Sequence, residues 1–130
     1  MDEMRVAVIH WKPEEVAPLM EKLAKARIEA ACAPPTGPRA MKFISGYAPD
    51  AIILDLGRLP SHSRWMAVAL RRRKQTRHIP LVFTRGKPDK IAQTKAVIPD
   101  AVYTDWNSVV KMLRDLKKRA LLKRPLCPPT

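Results

Sequence analysis

Five short apolar runs recur along the chain: RVAVI (5–9), IEAACA (28–33), AIIL (51–54), IPLVFT (79–84) and AVYT (101–104). Helix-patterned segments separate them, and this alternation constrains the fold more than any other feature. Strands joined through helices pair in parallel through right-handed crossovers, which places helices on both faces of one sheet. AIIL is apolar at every residue, the pattern of a central strand buried on both sides rather than one facing water. The expectation is a single α/β domain over residues 1–122, a doubly wound five-stranded parallel sheet, with 123–130 as a C-terminal tail.

The intervening segments carry helical periodicity. Val16, Leu19, Met20 and Leu23 repeat at helical spacing, and Pro18 delays or kinks the start of this first helix because proline lacks the N–H a helix interior needs. Thr36-Gly37-Pro38 reads as a cap and first turn leading into RAMKFISGY, a short second helix. In the third helix, SRWMAVALRRRKQ, Trp65, Val68, Ala69 and Arg72 are read as sharing one side, with Ser61 or Ser63 as cap. DKIAQTKAV follows as a short polar helix. VVKMLRDLKKRALLK is the last, capped by Asn107 or Ser108 and apolar along Val109, Leu113, Leu116 and Ala120.

Charge divides the chain in two. Residues 1–60 hold eight Lys/Arg against eight Asp/Glu, whereas residues 61–130 hold seventeen against four, so the whole net charge of +13 falls in the second half. Such asymmetry points to an anionic partner. Cys32 and Cys127 follow no metal-ligand or CxxC spacing, and no run approaches the roughly 20 apolar residues of a membrane span, so a cytoplasmic protein with no membrane contact is expected. GxGxxG, P-loop, GxSxG and HExxH motifs are absent, which leaves the common cofactor and hydrolase classes without support.

In parallel sheets of this type, chemistry gathers at the carboxyl ends of the strands. His10, Asp55, Thr84 and Asp105 stand there. PDAIILDL resembles the third strand of the receiver domain of two-component response regulators, with its phosphate-accepting aspartate, and RHIPLVFT resembles the fourth. The resemblance implies a flavodoxin-like sheet of order 2-1-3-4-5 and puts Asp55 in the acceptor slot, Thr84 in the hydroxyl slot 29 residues later and Tyr103 in the slot of the switch aromatic. Receivers also supply an acidic pair for a divalent cation at the end of strand 1 and a lysine after strand 5. Here those slots hold His10 and Trp11, and Trp106, while Pro60 comes one residue later than the usual spacing.

A hard cation prefers carboxylate oxygens, so no metal or other cofactor is expected on this set, and no catalysis. Glu14 and Glu15 fit a first helical turn better than a replacement acidic pair. Asp55 is accordingly expected to accept loop amides or to pair with Arg58 or His10. A metal or acid–base site joining His10, Asp55 and His62, and an anion site at the SHSR helix start, are weighed as alternatives to ordinary hydrogen bonding and capping.

The surface expected to bind a partner is basic: Arg71, Arg72, Arg73 and Lys74 at the end of the third helix, Arg85, Lys87, Lys90 and Lys95 around the fourth, and Lys111, Arg114, Lys117 and Lys118 on the fifth. The resulting expectation is a pseudo-receiver that acts as a protein-interaction module, its partner an acidic protein or its own copy. Two rivals are a nucleic-acid binder using the same surface and a phospho-accepting response regulator at Asp55.

Overall fold

The computed structural model describes residues 4–10, 12–34 and 37–123. Trp11, the Thr36 cap, Cys127 and the tail beyond Lys123 lie outside the described residues. β1 (Arg5–Ile9), β2 (Glu29–Cys32), β3 (Ala51–Asp55), β4 (Leu81–Thr84) and β5 (Val102–Thr104) form one sheet in the order β2-β1-β3-β4-β5. Every pairing is parallel. The helices between them are α1 (Ala17–Lys25), α2 (Gly37–Tyr47), α3 (Pro60–Arg72), α4 (Pro88–Val97) and α5 (Val109–Lys123). The chain therefore has a doubly wound, flavodoxin-like sheet in the order that the receiver resemblance implies.

Strand alternation sorts the core into two layers. Val6, Val8, Ile53 and Val82 point to one face and pack with Leu19 and Leu23 of α1 and Val109 and Leu113 of α5. Ala7, Ile9, Ile52, Leu54, Leu81 and Phe83 point to the other, against α2 and α3. Each Val, Leu, Ile or Phe among them contributes about 1.5–3 kcal/mol on leaving water, so β1, β3 and β4 anchor the domain while the edge strands stay half-buried.

Local chemistry moved several boundaries. A 3₁₀ turn, Pro13–Val16, precedes α1, and Pro18 stands in the first turn of the α-helix, where its missing N–H costs nothing. This is the late start read from the sequence. α3 begins at Pro60, with Leu59 before it and no side-chain cap. The hydroxyl of Ser63 instead donates to the Asp55 carbonyl at 2.6 Å, tying the first turn of α3 to the end of β3. At α5, Ser108 stands at the cap position, its carbonyl accepting the Met112 amide at 3.0 Å, and its own amide donates to the Asp105 carboxylate at 2.8 Å, which braces this start.

The core side of α3 is not the side that Trp65, Val68, Ala69 and Arg72 share. Ser63, Met66, Ala67 and Leu70 are buried, while Trp65 is 57% exposed and Val68 and Ala69 only flank the core. The shared side lies outward, and the core stripe includes a serine that hydropathy alone discounts.

Candidate functional site

Strand register assembles the site. Ile9 is paired with Leu54 and Asp55 with Thr84, so His10, Asp55 and Thr84 emerge side by side at the carboxyl end of the sheet. Asp55 is the last residue of β3 and 4% exposed, and His10 is 3% exposed. A carboxylate so deeply placed needs compensation.

Three groups supply it. The Arg85 guanidinium straddles the carboxylate, its Nε donating to Oδ1 at 2.9 Å and a terminal nitrogen to Oδ2. The Gly57 amide donates to Oδ1 at 3.0 Å. His10 Nε2 lies 2.6 Å from Oδ2. The Lys12 amide donates to His10 Nδ1 at 2.8 Å, which makes Nδ1 an acceptor and leaves the proton on Nε2, directed at Asp55. The imidazole is thus a hydrogen-bond donor and Arg85 the compensating charge.

Arg85 is held from behind. Its guanidinium lies 4.2 Å from the centre of the Trp106 ring, a cation–π contact, and the Trp106 indole N–H donates to the Thr84 hydroxyl at 3.1 Å. Arg85 itself adopts φ 60°, and Gly86 follows at φ 99°, turning the chain sharply after β4. A Cβ on Gly86 would come within 2.7 Å of Leu56 Cβ, so glycine is required there both by conformation and by space. A Cβ on Gly57 would stand 3.1 Å from Arg85 Nε and 3.2 Å from Asp55 Oδ1.

At the rim, Glu15 pairs bidentately with Arg58, at 2.6 and 2.5 Å, and its Oε1 lies 3.6 Å from His10 Nε2. The hydrogen bond from Arg58 draws the Glu15 carboxyl below its ordinary range. Glu15 therefore reaches the pocket mouth from the 3₁₀ turn, although Arg58 already engages it. Of the two bases expected beside Asp55, His10 is there and Arg58 is not. Arg85, assigned to the outer basic surface, is the principal partner; the signal for it was its place directly after Thr84, at the same strand end as Asp55.

The fold family implies a divalent cation at this site, and the residues do not fit one. Both Asp55 oxygens are engaged, His10 Nε2 carries a proton, and Glu15 is held by Arg58. Among the described residues no group of three His, Cys, Asp or Glu side chains is placed to hold a metal ion. His62 stacks toward Trp65, with ring centroids 6.4 Å apart, instead of joining His10.

Tyr103 stacks on Phe83 at 5.1 Å, and its hydroxyl donates to the Ile98 carbonyl at 2.7 Å. Burial chiefly, with Asp100 nearby, pushes its phenol up to about 12. Two further members of the expected basic surface change role or setting. Arg71 donates to the Arg77 and Ile79 carbonyls at 3.1 and 3.0 Å and pairs with Asp100 at 3.2 Å, so it braces the turn before β4. Lys117 is half-buried beside a cavity at the amino ends of the strands. Arg72, Arg73, Lys74, Lys87, Lys111, Arg114 and Lys118 are exposed. α5 packs on one face of the sheet and α3 on the other, and Arg72 to Lys74 lie at the end away from Asp55.

No protein-family model matches the chain, and no curated protein matches it in sequence. Solved structures match it closely in shape. The receiver domain of a Francisella response regulator aligns with TM-score 0.73 and 16% identity, over 91% of this chain and 99% of that one. The Vibrio cholerae chemotaxis protein CheY4 aligns at 0.70 and 17%, over 88% and 99%. The N-terminal domain of a response regulator receiver protein from Methanoculleus marisnigri aligns at 0.64 and 17%, over 95% and 100%. At such identities these likenesses establish the receiver fold.

Proposed function

We propose that the chain is a receiver-like signalling module that works by binding and does not accept a phosphoryl group at Asp55. The observation that carries this reading is the bidentate Arg85–Asp55 pair. A carboxylate attacks phosphorus with a free lone pair in line with the leaving group, and phosphoryl transfer to it needs cations arranged around the phosphoryl oxygens. Arg85 occupies both oxygens, backed by Trp106, and the donor set suits no hard cation. The partner is an acidic protein, met by cations left exposed on the helices; the chain has no catalytic role of its own. Among the described residues no helix is long and apolar enough to cross a membrane.

Incubation with Mg²⁺ and acetyl phosphate, read by intact mass, tests the reading. The wild-type chain is expected to gain no phosphoryl group. A stoichiometric adduct that disappears in Asp55→Asn would overturn it and restore the phospho-accepting alternative. Fluorescence anisotropy of labelled oligonucleotides at several salt concentrations tests the other rival. Binding that persists near physiological ionic strength and weakens linearly in log salt would favour nucleic acid over protein.

A further inference from the structure

The geometry points to the outer side of α3, centred on Trp65, as a docking surface for an acidic protein segment. The inference rests on the reading of the chain as a binding module and names its surface and partner.

Trp65 is 57% exposed and Leu59, just before α3, is 37% exposed; both are large apolar side chains open to solvent. Trp65 is nevertheless held. Two ring carbons approach the first residue of α2 so closely that a Cβ on Gly37 would stand 2.8 Å from each. The indole thus lies against the start of α2 with more than half of its surface open, an anchor already ordered before any partner arrives. Buried aromatic anchors of this kind carry much of the energy at protein interfaces, and one held in place loses little freedom on binding.

Charge specifies the partner. Neither α2 nor α3 contains an aspartate or glutamate, and none occurs anywhere from Leu56 to Pro88. Val68, Ala69 and Arg72 continue the Trp65 side down the helix, with Arg39 and Lys42 exposed on α2. Arg39, Lys42 and Arg72 enter no ion pair within the described residues. The helices on the opposite face carry carboxylates, Glu21 on α1 and Asp115 on α5. An apolar side chain on a pair of helices that carry cations and no carboxylate complements a segment in which an apolar residue is bordered by aspartate or glutamate. A second copy of this face would set cation against cation.

The experiment selects peptides from a phage-displayed random library on the wild-type domain and measures the enriched ones by fluorescence polarisation. Enriched sequences are expected to flank a bulky apolar residue with Asp or Glu. Their affinity should fall at least about tenfold in Trp65→Ala and clearly in Arg72→Glu, with the thermal midpoint of both variants near that of wild type. Neutral or basic enriched sequences, no enrichment, or acidic peptides indifferent to Trp65→Ala would each overturn the proposal. Self-association that is lost in Trp65→Ala would overturn it in favour of a second copy. An Asp55 adduct with acetyl phosphate would strike the underlying reading instead, so the two failures are distinguishable.

Discussion

The pocket at the end of β3 and the outer side of α3 belong to the same stretch of chain, yet they use positive charge in opposite ways. In the pocket, Arg85 is spent internally: it neutralises a buried carboxylate and stacks on Trp106. On α3 and its neighbour α2, Arg72, Arg39 and Lys42 face water with no carboxylate on either helix. The difference teaches that net charge is a poor guide to a binding surface until each cation is located. Arg71 and Arg85 were counted with the free cations and belong to the architecture; Arg72, one residue from Arg71, remains available.

The largest effect expected from breaking this contrast is at Arg85. Arg85→Ala leaves Asp55 buried with only His10 and the Gly57 amide as donors. Removing one partner of a fully buried pair costs about 3–5 kcal/mol; because the Arg85 side chain is 37% exposed and water can enter, about 2 kcal/mol is expected here. Arg85→Lys keeps the charge without the fork and should fall between. Urea unfolding measures both, and an Arg85→Ala variant as stable as wild type would mean that the pair does not hold the pocket.

A smaller effect sharpens the same distinction with groups satisfied inside the fold. Tyr103 and Tyr47 are both pushed up to about 12, each chiefly by burial; at Tyr47 the hydrogen bond to Glu29 adds to it. The sign follows from linkage. Below pH 10 both folded and unfolded chains keep these phenols protonated, so the stabilisation is fully present. Between 10 and 12 the unfolded chain ionises first, and stability declines as pH rises through that window. Unfolding midpoints measured up to pH 12 should fall less steeply in Tyr103→Phe and Tyr47→Phe than in wild type.

The smallest effect is expected on α3. Trp65→Ala and Arg72→Glu should each change stability by less than about 1 kcal/mol, since neither side chain contributes to the core. A much larger loss on thermal unfolding of Trp65→Ala would make the indole a structural brace of α2, and the contrast between pocket and surface would collapse.

Element order was legible because period and composition suffice for it. RVAVI reads as a strand from its β-branched run, AIIL as a central one, and the helix-patterned segments between runs are too long for hairpin loops. The α5 limits, Val109–Lys123, followed equally from periodicity and the proline beyond it. Asp55, Thr84 and His10 were placed at one end of the sheet by strand direction alone. A helix start was less legible where a proline displaced the local cap, as at Pro60.

By itself, then, the sequence determined the alternating α/β order, the two core layers and which residues stand at the carboxyl ends of the strands, all properties of local periodicity and chain direction. Only the tertiary structure decided which base pairs with Asp55. Arg58 is three residues away in sequence and Arg85 thirty, yet the parallel register and the left-handed turn at Arg85-Gly86 bring the distant one in, while Glu15 draws the near one out. It also decided that Trp65 faces solvent, because the rotation of a helix about its axis is set by what packs beneath it, here Met66, Ala67 and Leu70 against the sheet.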